Sequence, residues 1–252
     1  MTYKAAFRQN TALWFDGTSH LSMSTPGAGI ANANPAHNEA FSISAWVAAN
    51  SYSTETIWTN HGGNSDPGFA LQYTSSGQVR VRYPYSASTS TVTTQPRFFS
   101  SYGPSQFQCV VFTYDGSAST AGFGFYMNNY RDFATNTGSN TVANCASTSN
   151  IKIGFGTASG GTDTEKAYNK IFSNIAIWSK VLDGHEVGEI YHGLDGSIGP
   201  GNLLHHSAAS NLVGWYIASH PSDSATGTIH DRSGQGNNFT ANNFTAAELL
   251  EV

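Results

Sequence analysis

Apolar and polar side chains alternate in short stretches along most of this chain, a pattern typical of β-strands that bury one face. In the stretch 41–47, Phe41, Ile43 and Val47 fall on one face of the strand, whereas Trp46 falls on the other. We therefore predict a strand that is covered by other parts of the molecule on both sides.

Two further alternating stretches, 69–73 and 78–83, flank the sequence Ser-Ser-Gly and predict a β-hairpin. In the second stretch, Tyr83 shares the inward face with two valines. Arg80 and Arg82 share the outward face, where we expect both side chains to be solvated.

Asp-Gly pairs mark turns, because aspartate can cap its own backbone and glycine tolerates positive φ. The stretch 12–23, ALWFDGTSHLSM, contains Asp16 and Gly17 and predicts the first hairpin of a β-domain. A second pair, at 115–116, follows the most apolar stretch of the chain. The region 155–170 is rich in polar residues and predicts a loop.

One short α-helix is predicted over 184–192. Asp183 is a suitable N-cap, Gly193 is a suitable C-cap, and Val187 and Ile190 lie at helical spacing between them. Many short strands with turns between them and one helix predict an all-β fold, an antiparallel two-sheet jelly-roll sandwich.

The 252 residues are enough for one large β-domain. We divide the chain into an N-terminal arm at 1–11, a jelly-roll domain at 12–217 and a C-terminal tail at 218–252. The tail is expected to pack on the domain or on a partner.

Charged residues make up 11% of the chain, and the formal net charge is −5. This balance argues against nucleic-acid binding, which needs clustered lysine and arginine. No apolar leader and no membrane-spanning apolar run is found, so we expect neither a signal peptide nor membrane insertion. Cys109 lies in an apolar stretch where a buried free thiol is expected, and a disulfide with Cys145 is the alternative.

Enzymatic activity is the least favoured class of function. Glycoside hydrolysis requires two carboxyl groups that face one groove, and no predicted strand carries such a pair. Glu186 and Glu189 lie on the predicted helix, where a solvated helix face is expected. His205 and His206 are adjacent, so they do not share one helix face. We therefore predict no catalytic residues.

A saccharide platform needs aromatic rings exposed beside a groove. Tyr85, Tyr83 and Trp58 lie near predicted loops and are the candidate ligand-binding residues. Tyr85 follows Pro84 outside the strand pattern and is the best candidate for an exposed ring, whereas core packing is the alternative for Trp58.

The order of the motifs FDG, FSISAWV, FTYDG and NIAIWSKVLDGHEVGEIYHG resembles the laminin-G-like, pentraxin-like jelly rolls of the concanavalin A-like class. The resemblance covers about residues 10–195. It implies binding of glycans or proteins, often with calcium, and it implies metal ligands at Asn64, Asp66, Asp163 and Glu165. The dense acidic run of pentraxins is absent here, so solvated loop charge is the alternative to a calcium site.

The segment 231–245 is similar to a segment of structural proteins of tailed bacteriophages. Together with the missing export signal, this similarity predicts a non-enzymatic virion protein, either a capsid decoration or a tail component. Such a protein is made in the host cytoplasm. Its expected partners are other virion proteins, host-surface glycans and copies of itself. The alternatives are a lectin-like module of a cellular protein and, least favoured, a glycoside hydrolase. Packing of Phe239 and Phe244 against the sandwich is compatible with each of these functions.

Overall fold

The computed structural model describes residues 12–24, 29–49, 53–62, 68–85, 88–94, 107–132, 134–136, 138–143, 150–156, 165–193, 199, 201–217, 223, 227–245 and 249–250. Their strands form two large antiparallel sheets that enclose one apolar core, with a single α-helix in this part of the chain. The predicted jelly-roll sandwich is thereby confirmed. No described helix has the length and apolar character needed to cross a lipid bilayer.

The first sheet has eight described strands, which are numbered here along the whole chain. In spatial order they are β10 (Tyr130–Asp132), β9 (Phe123–Met127), β8 (Gln108–Tyr114), β3 (Phe41–Ala49), β15 (Tyr168–Trp178), β1 (Ala12–Asp16) and β19 (Leu249–Leu250), with β16 (Leu212–Tyr216) pairing with the far end of β15.

The second sheet has nine described strands, and a small separate hairpin has two. In spatial order the sheet consists of β11 (Ala134–Asn136), β7 (Ser88–Thr94), β6 (Val79–Tyr85), β5 (Ala70–Tyr73), β4 (Glu55–Thr59), β12 (Ile151–Ile153), β2 (His20–Met23), β18 (Phe239–Asn242) and β17 (Thr228–Ile229). The hairpin pairs β13 (Phe155–Gly156) with β14 (Glu165–Lys166).

The core between the sheets is rich in aromatic rings. Phe41 of the first sheet has its ring centroid 5.1 Å from that of Phe69 and 5.7 Å from those of Phe112 and Tyr114. Its ring also approaches Trp58 of the second sheet at 6.5 Å. Aromatic contacts at such distances add to the burial of apolar surface, so the two sheets are tightly joined around Phe41.

The outer side of the first sheet is covered by α1 (Gly184–His192). Trp46 stacks on Tyr191 of this helix with ring centroids 5.8 Å apart, so β3 is covered on both sides, as predicted. Asp183 accepts hydrogen bonds from the backbone of residues 185 and 186, and Glu186 binds back to the cap, which forms a capping box. Cys109 is a buried free thiol in the same apolar cluster.

The opening stretch does not form the hairpin that the sequence predicted. β1 pairs with β15 and β19 in the first sheet, whereas β2 pairs with β12 and β18 in the second. The predicted turn between them is present: Oδ1 of Asp16 accepts from the backbone of Thr18 and Ser19, and Gly17 has φ +95°. The turn therefore carries the chain from one sheet to the other.

Parts of the C-terminal region 218–252 are integral to both sheets. Strand β18 lies beside β2 in the second sheet, and β19 lies beside β1 in the first. Phe239 and Phe244 are buried in the main core, where Phe244 contacts Phe15 at a centroid distance of 5.2 Å. These strands complete the sandwich, so this region is not simply an appendage to it.

Candidate functional site on the outer face of the second sheet

The outer face of the second sheet points away from the core and carries a polar network. Along β6, Val79, Val81 and Tyr83 point into the core, so Arg80 and Arg82 lie on the outer face, as predicted. The prediction that both arginines are solvated is wrong for Arg82, whose side chain is only 8% exposed. The β13–β14 hairpin lies against it and excludes water.

Glu165 of β14 anchors this hairpin to β6. Arg82 donates two hydrogen bonds to its carboxylate, from Nη2 to Oε1 at 2.7 Å and from Nη1 to Oε2 at 3.0 Å. Gly156 pairs with Glu165, and a Cβ atom at Gly156 would lie 2.0 Å from Oγ1 of Thr56 in β4. A glycine is therefore required where the hairpin approaches the sheet, and the region 155–170 is not the simple loop that was predicted.

Gln72 of β5 fixes the second arginine of the face. Its Oε1 accepts hydrogen bonds from Nε and Nη2 of Arg80, at 3.1 and 2.7 Å, while its Nε2 donates to Glu165 and Thr56. Burial and the nearby charge of Arg82 lower the pKa of Arg80, and Glu165 opposes this effect. The Arg80 side chain is 20% exposed, so this guanidinium is ordered and still reaches solvent.

Threonine hydroxyls extend the network onto the next strand. In the register of β6 and β7, Thr93 pairs with Arg80 and Thr91 pairs with Arg82, which places these side chains on the same face. Both threonines are half-buried. Guanidinium, amide and hydroxyl groups therefore lie side by side across three neighbouring strands.

Phe155 fixes the other strand of the hairpin. Its ring centroid lies 4.5 Å from that of His20 in β2. The ammonium nitrogens of Lys152 and Lys166 each lie 5.1 Å from the same centroid, within the range of cation–π attraction. The hairpin is thus held to the outer face by Phe155 at β2 and β12 and by Glu165 at β6.

Two of the predicted ligand-binding residues lie in the core. Trp58 and Tyr83 have no solvent exposure, so neither offers a ring face to a ligand, and these two predictions are wrong. Both side chains alternate inward along their strands and fill the space between the sheets. Tyr85 ends β6, and its side chain lies outside the described part of the structure.

Other residues supply the exposed rings and the polar face. Tyr130 is 72% exposed and Tyr168 is 60% exposed, the largest values among apolar and aromatic side chains in the described residues. Sequence reasoning missed both tyrosines because each lies beside a short polar stretch in which apolar and polar positions do not clearly alternate. Sequence reasoning also missed Gln72, although the outward position of Gln72 in an alternating strand was a usable signal.

The implied calcium ligands fall largely outside the described residues. Asn64, Asp66 and Asp163 lie there, and only Glu165 can be assessed. Its carboxylate is already engaged by Arg82 on both oxygens, so it does not fit the role of a metal ligand in this arrangement. Within the described ranges, no group of three or more histidine, cysteine, aspartate or glutamate residues could hold a metal ion.

The helical carboxylates have structural partners. Glu186 belongs to the capping box and pairs with Lys180. Glu189 accepts a hydrogen bond from the backbone of Ser207 and lies 3.4 Å from Nε2 of His206. The Glu186 carboxylate therefore holds the residues before the helix, and the Glu189 carboxylate holds the segment after it, so both groups have structural roles.

A family profile of the laminin G type matches residues 17–188, which is more than half of the chain. The profile is described as the concanavalin A-like lectin/glucanases superfamily. The matched segment includes the whole polar network on the outer face. No match to this chain is found among curated proteins.

Solved structures share the fold at low sequence identity. One is described as a "putative carbohydrate binding protein" from Bacteroides ovatus, with a TM-score of 0.59, 16% identity, and coverage of 94% of this chain and 59% of that one. The chain therefore spans less than two thirds of that protein. Another is a heptameric SAP-like pentraxin from Limulus polyphemus, with a TM-score of 0.54, 13% identity, and coverage of 95% and 97%.

Proposed function

The chain belongs to the concanavalin A-like lectin/glucanases superfamily, and we propose that it is a non-enzymatic carbohydrate-binding module. The saccharide binds on the outer face of the second sheet, beside Arg80. The observation that carries this proposal is the network of Gln72, Arg80, Arg82 and Glu165, which holds planar polar groups in fixed orientations next to threonine hydroxyls.

The chemistry of this face suits sugar hydroxyls, which both donate and accept hydrogen bonds. A guanidinium carries five N–H donors, and among the described residues the contacts of Arg80 use its Nε and Nη2 atoms. Because Arg80 is already ordered by Gln72, binding loses little side-chain entropy at this residue. The lectin-like family and the carbohydrate-binding description of the Bacteroides relative support binding of a glycan and not catalysis on one.

Screening on a glycan array tests the proposal. We expect the wild-type protein to bind one or more oligosaccharides, and we expect Arg80→Ala to weaken that binding about tenfold or more, as loss of a hydrogen bond from a charged donor does. Arg131→Ala is the matched control, because Arg131 is an exposed arginine in β10 of the other sheet. A wild-type protein that binds no glycan contradicts the function, and an Arg80 variant with unchanged affinity contradicts the site.

Attachment to a phage particle stays a prediction. The segment that suggested it supplies β18 and two buried phenylalanines, and a binding module needs those residues for its fold as much as a virion protein does. Mass spectrometry of purified particles tests the virion assignment directly. Self-association also stays a prediction, tested by the mass of the protein in solution.

A further inference from the structure

The outer face of the second sheet is cationic, although the chain as a whole has a formal net charge of −5. The described residues place four cationic side chains on this face or on the β13–β14 hairpin that covers it: Arg80, Arg82, Lys152 and Lys166. Lys152 points outward because Ile151 and Ile153, its neighbours in β12, lie in the core. Glu165 is the one carboxylate that the described residues place among them. This part of the face therefore has a formal surplus of three positive charges.

Glu165 neutralises one of the two arginines and leaves the other largely uncompensated. Arg82 holds both carboxylate oxygens of Glu165, at 2.7 and 3.0 Å. Arg80 instead binds Oε1 of Gln72, an amide without formal charge, and its Nη2 lies 3.5 Å from Oε1 of Glu165. Burial and the charge of Arg82 together lower the pKa of Arg80 more than Glu165 raises it. A further anion beside Arg80 would therefore stabilise its positive charge.

Arg80 can present two donors to an incoming anion. Gln72 occupies the edge of the guanidinium formed by Nε and Nη2, and the hydrogen bonds of Arg80 to described residues do not use Nη1. The Arg80 side chain is 20% exposed, so solvent reaches this group. Nη1 and the second N–H of Nη2 form a planar fork, which matches two oxygens of one carboxylate or sulfate group. Because Gln72 already orders the guanidinium, such an anion loses little binding energy to side-chain ordering.

Lys166 adds a second positive charge beside this group. Its ammonium nitrogen lies 5.1 Å from the centroid of the Phe155 ring, and no carboxylate of the described residues pairs with it. The residue is half-buried, so its charge is held against the hairpin and still reaches solvent. Because Lys166 directly follows Glu165 in β14, its charge adds to the positive potential around Arg80.

We propose that the saccharide bound on this face is acidic and that its carboxylate or sulfate group binds Nη1 and Nη2 of Arg80. This inference rests on the proposed function for the site, and it adds the chemical class of the ligand. The surplus of positive charge attracts an anionic saccharide to the face and orients it there. Thr93 and Thr91, which pair with Arg80 and Arg82, supply hydroxyls for the uncharged groups of the sugar.

Calorimetric titration of the whole chain with matched probes tests the inference. The saccharide probes are oligosaccharides of equal length with a backbone of alternating hexose and N-acetylhexosamine. One is neutral, one has hexuronate in place of hexose, and one is O-sulfated. Polyglutamate is a further probe, because it is an anion without sugar rings.

Two pairs of variants change the charge of the face. Thr93→Glu places a negative charge beside Arg80, and Thr93→Gln is its control of nearly equal size without the charge. Lys166→Gln removes the second cation, and Arg131→Gln is its control because Arg131 is an exposed cation of the other sheet. Thermal melting checks that each variant is folded.

The wild type should bind an acidic saccharide about tenfold or more tightly than the neutral one, as expected when a charged donor meets an anion. Thr93→Glu should bind that acidic probe about tenfold or more weakly than Thr93→Gln does. Lys166→Gln should bind it more weakly than Arg131→Gln does. Added salt should weaken binding of the acidic probe and leave binding of the neutral probe nearly unchanged.

Equal or tighter binding of the neutral probe overturns the inference, and the proposed function then stands. Binding of polyglutamate as tight as that of the acidic saccharides also overturns the inference, because charge alone would then account for it. Equal affinities of Thr93→Glu and Thr93→Gln for the acidic probe would place its anionic group away from Arg80, which again overturns the inference. A wild type that binds no saccharide overturns both proposals.

Discussion

Arg82 and Glu165 are 83 positions apart in the chain, and two hydrogen bonds of 2.7 and 3.0 Å join guanidinium to carboxylate. The pair holds the β13–β14 hairpin against the outer face of the second sheet. Both side chains are about nine-tenths buried, with exposures of 8% and 10%. Loss of one partner therefore leaves the other charge without compensation in a poorly hydrated place.

Glu165→Ala should lower the free energy of unfolding by about 3 kcal/mol, because removal of one member of a buried ion pair strands the other. Urea denaturation at neutral pH measures the change. Lys166→Ala is the matched control, since Lys166 is the next residue of the same strand and is only half-buried. Equal stability of the two variants would contradict the assigned role of Glu165.

Calcium should raise the melting temperature of the wild type, as the resemblance to pentraxin-like domains implies, because a ligand that binds only the native state stabilises it. Asp163→Ala should remove this rise. Glu165→Ala should keep it, since that carboxylate is bound to Arg82. Melting curves in calcium and in a chelator measure the effect, and identical curves for the wild type rule out the calcium site.

Asp183→Ala should cost about 1 kcal/mol of stability, because it removes the N-cap of α1. The hydrogen bond from the backbone N–H of Glu186 is the main cause that lowers the pKa of Asp183 below its ordinary value of 3.8. The carboxylate therefore contributes stability above that pH, and the contribution is lost as the pH falls through the lowered pKa.

Asp183→Asn tests this pH dependence, since asparagine caps a helix about as well but does not titrate. Urea denaturation between neutral pH and pH 3 should show a smaller acid-induced loss of stability in the Asn variant than in the wild type. An identical loss in both proteins would mean that other carboxylates account for the acid sensitivity.

Phe239→Ala should destabilise the protein by about 3 to 5 kcal/mol, because it opens a cavity in the main core. Thr240→Ala, at the next and exposed position of the same strand, should change stability little. Chemical denaturation compares the two. A small loss for Phe239→Ala would mean that β18 is a dispensable addition to the sandwich.

Local signals in the sequence predicted local structure well. The cap at Asp183, the glycine at Gly193 and the apolar spacing between them lie within one short segment, and the helix forms there. The opposed positions of Trp46 and Ile43 likewise predicted that β3 is covered on both sides, and the structure confirms it. In each case the residues that decide the outcome are close neighbours in the chain.

The candidate site was less predictable because its parts are distant in sequence. No residue near Arg82 in the sequence indicates that Glu165 will cover it, so the natural expectation was a solvent-exposed Arg82 side chain. Tyr83 and Trp58 were chosen for their nearness to loops, yet strand alternation directs them inward. Alternation along a strand predicts which face of the sheet a side chain occupies. It does not predict which distant segment of the chain covers that face.

The separation of β1 and β2 into different sheets has a consequence for synthesis. β1 pairs with β15 and β19, and β2 pairs with β12 and β18, so among the described residues every partner of either strand follows residue 150. Both strands leave the ribosome long before these four partner strands are made. Folding dominated by such distant contacts is slow, and unpaired apolar strands are prone to aggregate. The stretch around Phe15 is therefore where a chaperone has the longest opportunity to bind.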